Sequence, residues 1–313
     1  MALAALDQVK LLLVCPQCRS ALVAGDSAFH CVSAACPYHP ADAFPVVGRL
    51  PVLVDFERSI LRRQDLVGPP RAAGGRLPQL VRGVWKPLNR VAVRNTERLL
   101  RLLPGPAPTL LVVGGGTVGN GVAAVYADPR VQVIGFDIAP SAMTQFVADA
   151  HQIPLADRSV DAVLVQAVLE HVLDPAQVVS EIHRVLVDGG LVYAETPFLQ
   201  QVHAGAYDFL RFTASGHRYL FRRFSEIDAG TVAGPGTQLL WSADHLVRGL
   251  TQSTTAGRLT RGALFWLRYL DALVPAGYAS DNASALYFLG RKRDREMSPK
   301  EIVRYYRGAQ RPR

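Results

Sequence analysis

No cysteine occurs after position 36 in this chain of 313 residues. A cysteine nucleophile in the body of the protein is thereby excluded, and so is a disulfide framework spanning it. Also missing is any run of the roughly 20 uninterrupted apolar residues that a membrane-crossing helix needs. The opening apolar stretch carries Lys10 and stops at Cys15. With no basic segment ahead of it and no small-residue cleavage position behind it, that stretch does not read as a secretory leader. The expectation is a cytoplasmic globular protein without membrane attachment. There are no internal repeats.

What is plentiful is apolar residues, 49% of the chain. At this length they suffice for one main domain with a full core plus a smaller module. The formal charge is +8, yet residues 291–313 alone hold nine Lys/Arg against three Asp/Glu. Most of the surplus is thus a property of the tail, which reads as a solvated basic surface ahead of a nucleic-acid site.

Composition separates four zones: 1–56 with every cysteine, a connector over 57–108, the main domain over 109–292 and the basic tail 293–313. The first ends in F-P-V-V-G-R-L-P-V-L-V, turn formers alternating with β-branched residues, the pattern of short strands. In the connector, P-P-R-A-A-G-G-R-L-P predicts a partly mobile segment and N-T-E-R-L-L-R-L-L one amphipathic helix. From Thr109 onward apolar runs alternate with helical periodicity, the mark of stacked βα units on a parallel sheet. The runs T-L-L-V-V, V-Q-V-I-G-F, V-D-A-V-L-V-Q and G-L-V-Y-A-E predict buried strands. Between the last two, Asp174 and Pro175 supply an N-cap and first turn, and Val178, Ile182, Val185 and Leu186 line one helical face. Gly189 and Gly190 are expected to stop that helix. Beyond Pro197 the pattern predicts a helix over 213–221, a strand over 224–232, a core-packing amphipathic helix over 261–273 and a last strand A-L-Y-F-L-G. Ser298, Pro299 and Glu301 have the spacing of a capping box, which predicts a short helix in the tail.

The cysteines form two close pairs, Cys15 with Cys18 and Cys31 with Cys36, separated by twelve residues. Two such pairs, each on a turn, can set four thiolates at the corners of a tetrahedron, the coordination that structural Zn²⁺ prefers. Four thiolates satisfy the ion, so His30 and His39 are expected on the surface. The sequences C-P-Q-C, C-V-S-A-A-C and F-P-V-V-G-R-L-P-V-L resemble the short bacterial zinc-ribbon family related to methyltransferase-activating subunits. The resemblance covers residues 11–54 and departs from the family in the inserted P-Y-H-P-A-D-A from Pro37 to Ala43. It implies a small β-rich zinc ribbon.

Gly114, Gly116 and Gly119 form G-x-G-x-x-G between the strand T-L-L-V-V and N-G-V-A-A-V-Y, a helix start. Such a turn needs glycine because the backbone must approach a ligand where a Cβ would intrude. Asp137 closes the next strand twenty-three residues after Gly114, where a carboxylate meets the ribose hydroxyls of a bound nucleotide. These features alone suit NAD as well as adenosylmethionine. The longer series A-D-A-H-Q-I-P-L-A-D-R-S-V-D-A-V-L-V-Q-A-V-L-E-H-V-L-D-P, then E-I-H-R-V-L-V-D-G-G-L-V, resembles the class I methyltransferases of type 11 over residues 109–197. The resemblance implies a Rossmann-like, doubly wound α/β fold with a mostly parallel seven-stranded sheet, and S-adenosylmethionine as cofactor. Carried over by position, it puts Asp137 and its neighbour Ile138 at the ribose, Asp149 and Ala150 beside the adenine, and Gln166 and His171 at the methionine end. Val112 stands where the family has an acidic residue, so the cofactor's ammonium lacks one expected carboxylate; Asn120 or backbone carbonyls are the candidates to replace it.

Methyl transfer from a sulfonium asks chiefly for an acceptor held in line at about 3–3.5 Å, and for a base when the acceptor is a hydroxyl. The segment after the fifth strand concentrates His203, Tyr207, Asp208, Arg211 and Thr213. It resembles a bacterial methyltransferase subset with P-F-x-x-x-x-H followed by D-[FY]-x-R-[FY]-T. His203 is the candidate base, with Asp208 and Arg211 paired to shape the loop. The expected substrate is a small molecule or saccharide, methylated on oxygen. The alternatives are a ribosomal-RNA guanine methyltransferase, which also joins a zinc ribbon to this fold, and a silent methyltransferase-fold binding protein.

Overall fold

The computed structural model describes residues 3–25, 27–40, 43–64 and 87–310. The breaker-rich stretch 69–78, expected to be mobile, lies outside these residues. The N-terminal unit opens with the short helix α1 (Leu6–Lys10) and continues through β1 (Leu22–Ala24), β2 (Ala28–Cys31), β3 (Phe44–Val47) and β4 (Leu50–Leu53), each pairing antiparallel with the next. Helix α2 (Arg90–Leu102) follows. It begins five residues ahead of the predicted start because the Asn89 side chain caps it, its Oδ1 accepting from the Ala92 amide at 2.9 Å.

The main domain is laid down as β5 (Thr109–Val113), α3 (Ala123–Ala127), β6 (Gln132–Asp137), β7 (Phe146–Ala148), β8 (Val160–Gln166), α4 (Pro175–Val185) and β9 (Leu186–Pro197). Then come α5 (Ala214–Leu220), β10 (Phe224–Ala233), α6 (Pro235–Thr251), α7 (Thr254–Ala263), α8 (Ala276–Asp281), β11 (Ala285–Lys292) and the tail helix α9 (Pro299–Tyr305), whose capping box at Ser298 and Glu301 is formed. Strands β5 to β9 are parallel; β11 runs antiparallel between β9 and β10. Near-continuous Leu/Val/Ile runs suit this position, because a parallel strand is covered on both faces. In β5, Leu111 and Val113 join one core cluster and Leu110 and Val112 the other, as alternation along a strand requires. Helix α4 packs on the first face, α2 and α3 on the second.

Four expectations need correction. The seven strands β5–β11 do not form a closed set: β4 pairs in parallel with β7 (Val52 with Val147, Leu53 with Ala148), so one sheet of eleven strands runs from the ribbon to β10. The edge of a three-residue strand is thereby covered from within the chain. Gly189 and Gly190 do not end α4, which stops at Val185; they lie inside β9, where Gly189 takes φ +73° beside a register irregularity in the β8 pairing. The helix expected over 261–273 is divided: α7 ends at Ala263 and a 3-10 segment covers Phe265–Leu273. Helix α6 was not anticipated at all. It buries only Gly236, Leu240 and Asp244, too few to write an apolar stripe into the sequence.

The ribbon is bolted to the domain by a charged cluster. Glu181 of α4 accepts from Arg19 at 3.0 Å, from Arg184 at 2.8 and 2.7 Å and from the Ile153 amide at 3.0 Å, while Arg184 also donates to the Ile153 and Leu155 carbonyls. Every lone pair and donor of this buried pair is used, the condition under which such a pair is tolerated.

Candidate functional site

The glycine turn leaves β5 with Gly114 at φ +68°, a conformation that side-chain-bearing residues avoid. The Gly115 amide donates to the Phe136 carbonyl at 2.8 Å and the Gly116 amide to Asp137 Oδ2 at 2.9 Å. The turn and the end of β6 are therefore one unit. A Cβ on Gly116 would stand 2.6 Å from Asp137 Oδ2, and one on Gly119 would meet Gln166 Oε1. The residues predicted for a nucleotide thus converge: Gly114, Gly116 and Gly119, Asp137 and Gln166 sit together at the carboxyl ends of β5, β6 and β8, where doubly wound sheets have their ligand crevice. Ile138 next to Asp137 is 45% exposed, an apolar surface left open at the rim.

Asp149 and Ala150 are buried one strand away, brought there by the pairing of Asp137 with Val147. Asp149 Oδ1 accepts from the His151 amide at 2.9 Å and from His151 Nδ1 at 2.6 Å, and Oδ2 from the Ser59 hydroxyl at 2.5 Å. Burial opposes its charge, but these bonds hold the carboxyl below the usual range, and the same contact raises His151. Ser59 and His151 are contacts that sequence reasoning did not find.

Nor did it find Glu195, at the end of β9. Its carboxylate is buried and receives Tyr193 Oη, Gln166 Nε2 at 2.7 Å and Asn89 Nδ2 at 2.9 Å. These donors are all neutral, and burial pushes the carboxyl above its ordinary range against their pull. Alternation from Tyr193, whose ring packs in the cluster of Val112, sets Glu195 on the same face of the sheet as Val112. Asn120 is committed elsewhere, accepting from the Asn89 amide and donating to the Pro87 carbonyl.

A second constellation lies past the end of β8. Ala167 takes the left-handed φ of +55° and turns the chain into a 3-10 turn, Leu169–His171. His171 contacts the loop after β9: its Nδ1 is 2.7 Å from the Tyr207 carbonyl and its Nε2 is 3.1 Å from His203 Nε2. Asp208 accepts the His203 amide at 2.9 Å and is gripped by Arg211, which holds its carboxyl far below the ordinary range against burial. The expected Asp208–Arg211 pair is thus formed. Glu170 is fully buried beside the two imidazoles, and burial raises its carboxyl to about 7.

In the ribbon the four thiols meet. Cys15 and Cys36 Sγ are 3.7 Å apart and Cys18 and Cys31 Sγ 3.3 Å apart, with all four within 4.8 Å of one another. The edge of a zinc tetrathiolate with bonds of about 2.3 Å is roughly 3.8 Å, so the donor set fits that ion. His39 Nδ1 lies 2.9 Å from the Cys31 carbonyl and joins no ligand set.

The parallel strands β5–β9 with β11 antiparallel between β9 and β10, the glycine turn on β5 and the acid on β6 make a Rossmann-like, doubly wound α/β fold. Residues 111–194 match the family model described as a methyltransferase domain. Over 107 residues the chain is 34% identical to an uncharacterized 37.1 kDa protein in transposon TN4556 of Streptomyces fradiae. That match covers 30% of the chain and only 31% of the curated relative's own length. Among solved structures, a chain from the complex containing the Haloferax volcanii Trm112 methyltransferase activator is similar at 17% identity and TM-score 0.43, over 70% of this chain and 100% of that one. Phosphoethanolamine N-methyltransferase 2 of Haemonchus contortus is similar at 16% identity and TM-score 0.41, over 64% of this chain and 53% of that one. The [4+2]-cyclase SpnF follows at 18% identity and TM-score 0.42, over 73% and 86%. No described helix is long and apolar enough to cross a membrane.

Proposed function

We propose that this chain transfers the methyl group of S-adenosylmethionine to a hydroxyl of a small molecule or saccharide. The observation that carries the reading is the bond between the Gly116 amide and Asp137 Oδ2, the three atoms nearest the place a Gly116 Cβ would take all belonging to Asp137. A bare backbone turn facing a carboxylate is what a ribose requires. In this reading Gly114, Gly116 and Gly119 line the nucleoside, Asp137 accepts the ribose hydroxyls, Ile138 covers the ring edge, and Asp149 with Ala150 faces the adenine. Gln166 and Glu195 face the methionine end. Glu195 supplies, from two strands away, the carboxylate that Val112 cannot, and its neutral surroundings leave its charge to be met by the ligand's ammonium. His171 and His203 sit on the acceptor side, where the hydroxyl proton departs. The cysteines hold a structural Zn²⁺ and take no part in the chemistry.

Calorimetry with S-adenosylhomocysteine tests the reading, alongside mass spectrometry of the native protein for retained nucleoside. Binding that weakens on Asp137→Ala is expected. No heat at millimolar ligand refutes it and leaves a silent fold.

A further inference from the structure

We propose that Glu170, His171 and His203 bind a divalent first-row transition-metal ion at the acceptor side of the crevice. His171 Nε2 and His203 Nε2 stand 3.1 Å apart, and Glu170 Oε1 lies 3.7 Å from the first and 3.8 Å from the second. Ligand atoms about 2.0–2.2 Å from a common ion are separated by roughly 3–3.5 Å. The two nitrogens already have that spacing, and the carboxylate needs a shift of a few tenths of an ångström.

His171 presents a lone pair toward His203. The Tyr207 carbonyl only accepts, so His171 Nδ1 carries the hydrogen and Nε2 a lone pair. His203 Nδ1 lies 3.4 Å from Asp208 Oδ2, without a hydrogen bond between them. At 3.1 Å the two Nε2 atoms either share a hydrogen carried by His203 or flank a positive centre. Glu170 asks for the second. Its residue is wholly buried, and among the described residues no hydrogen bond from another residue reaches either oxygen. An unpaired buried carboxylate costs several kcal/mol.

The outer layer is also in place. Ligating imidazoles characteristically donate their second nitrogen to a carbonyl or carboxylate, which fixes ring and tautomer. Here the Tyr207 carbonyl fills that role for His171, and Asp208, held by Arg211, stands 3.4 Å from His203 Nδ1. The Phe209 and Leu210 amides donate to the Glu170 carbonyl and tie the two loops together. Two histidines and one carboxylate leave coordination positions open for water or substrate. One consequence rests on the methyl-transfer reading, although the site does not. A hydroxyl bound at an open position is acidified, its O–H bond breaks with the proton passing to solvent, and its oxygen takes the methyl as the C–S bond of the sulfonium breaks to leave a neutral thioether. His203 then acts as a ligand and not as the base.

The test is a Co²⁺ titration of the full-length, zinc-loaded protein followed by visible absorption, with S-adenosylhomocysteine calorimetry on the same samples. Ligand-field bands without sulfur charge transfer, saturating at one added equivalent, are expected. His203→Ala, on an exposed loop, should abolish them, and Asp208→Asn should weaken uptake about 10- to 100-fold, the usual effect of an outer-layer change. Absence of the bands, or bands unchanged in both variants, overturns the site. Cobalt uptake in a protein that gives no heat with S-adenosylhomocysteine removes the methyl-transfer reading and leaves the metal site standing.

Discussion

Asp137→Ala and Gly116→Ala together probe whether the turn on β5 and the acid on β6 act as one device. Asp137 Oδ2 accepts the Gly116 amide at 2.9 Å and Oδ1 the Ala139 amide at 3.3 Å, so the carboxylate is oriented before any ligand arrives. Hydrogen bonds involving a charged group are worth about 1.5–3 kcal/mol, so losing the carboxylate should raise the Kd for S-adenosylhomocysteine about 10- to 150-fold. A methyl on Gly116 would sit 2.6 Å from Oδ2 and 3.1 Å from Cγ of the same residue, closer than a Cβ can stand. The carboxylate must swing away, because it is the flexible partner. Gly116→Ala should therefore reproduce most of the loss in binding at a smaller cost in stability, about 1 kcal/mol for one displaced bond. Both substitutions act through one group, so the double variant should bind no more weakly than Asp137→Ala alone, with a coupling energy about equal to the Gly116→Ala effect. The assay is calorimetry on the four proteins of the cycle. A Kd for Asp137→Ala within twofold of the parent, or strictly additive losses, refutes the assignment.

Glu195→Gln puts an amide nitrogen among the donors of Tyr193, Gln166 and Asn89, and should cost about 1–3 kcal/mol of stability in urea titrations. It should also weaken S-adenosylhomocysteine more than 5′-methylthioadenosine, which has no ammonium; equal losses for both ligands would deny the ammonium contact. Glu181→Ala leaves Arg184 with Asp157 and two carbonyls but without its buried partner, and a loss of about 1.5–3 kcal/mol is expected from the urea midpoint. His217 is enclosed, and burial, helped by Arg218, lowers it to about 3. A depressed histidine binds fewer protons folded than unfolded, so its stability is present above about 6.5 and lost as pH falls, by about 2 kcal/mol at a pH of about 5. The acid side of the stability–pH curve should flatten by that amount in His217→Phe; an unchanged slope would show that His217 does not set it. Adding a chelator to the zinc-loaded protein should speed amide exchange at Val147 and Ala148, because β4 covers that edge; protection unchanged there would uncouple ribbon from sheet.

What could be read from the sequence was what the local chain determines. The glycine turn, the acid at the end of β6 and the capped helix α4 each depend on residues within a few positions of one another. Their signals survive in one dimension. Glu195 and Ser59 gave none, since their partners Asn89 and Asp149 lie 106 and 90 residues away and an isolated Glu or Ser has no pattern to betray it. Gly189 misled for a related reason: glycine after a helix usually ends it, but here the helix had already passed into β9 and the left-handed residue serves an irregular strand.

The sheet edge shows the same limit from the other side. Residues 1–56 look like a separate module because composition separates them, with all the cysteines on one side of the boundary. Folding does not respect that boundary. β7 has three residues, and a strand so short at an open edge would leave its amides to water or to another chain. The ribbon's last strand fills that place, Arg19 fastens the ribbon to α4, and Ser59, just beyond, bonds to the carboxylate of Asp149. A module recognised by its cysteine pairs thus completes the sheet beside Asp149, and its integrity and the placement of that carboxylate are physically one problem.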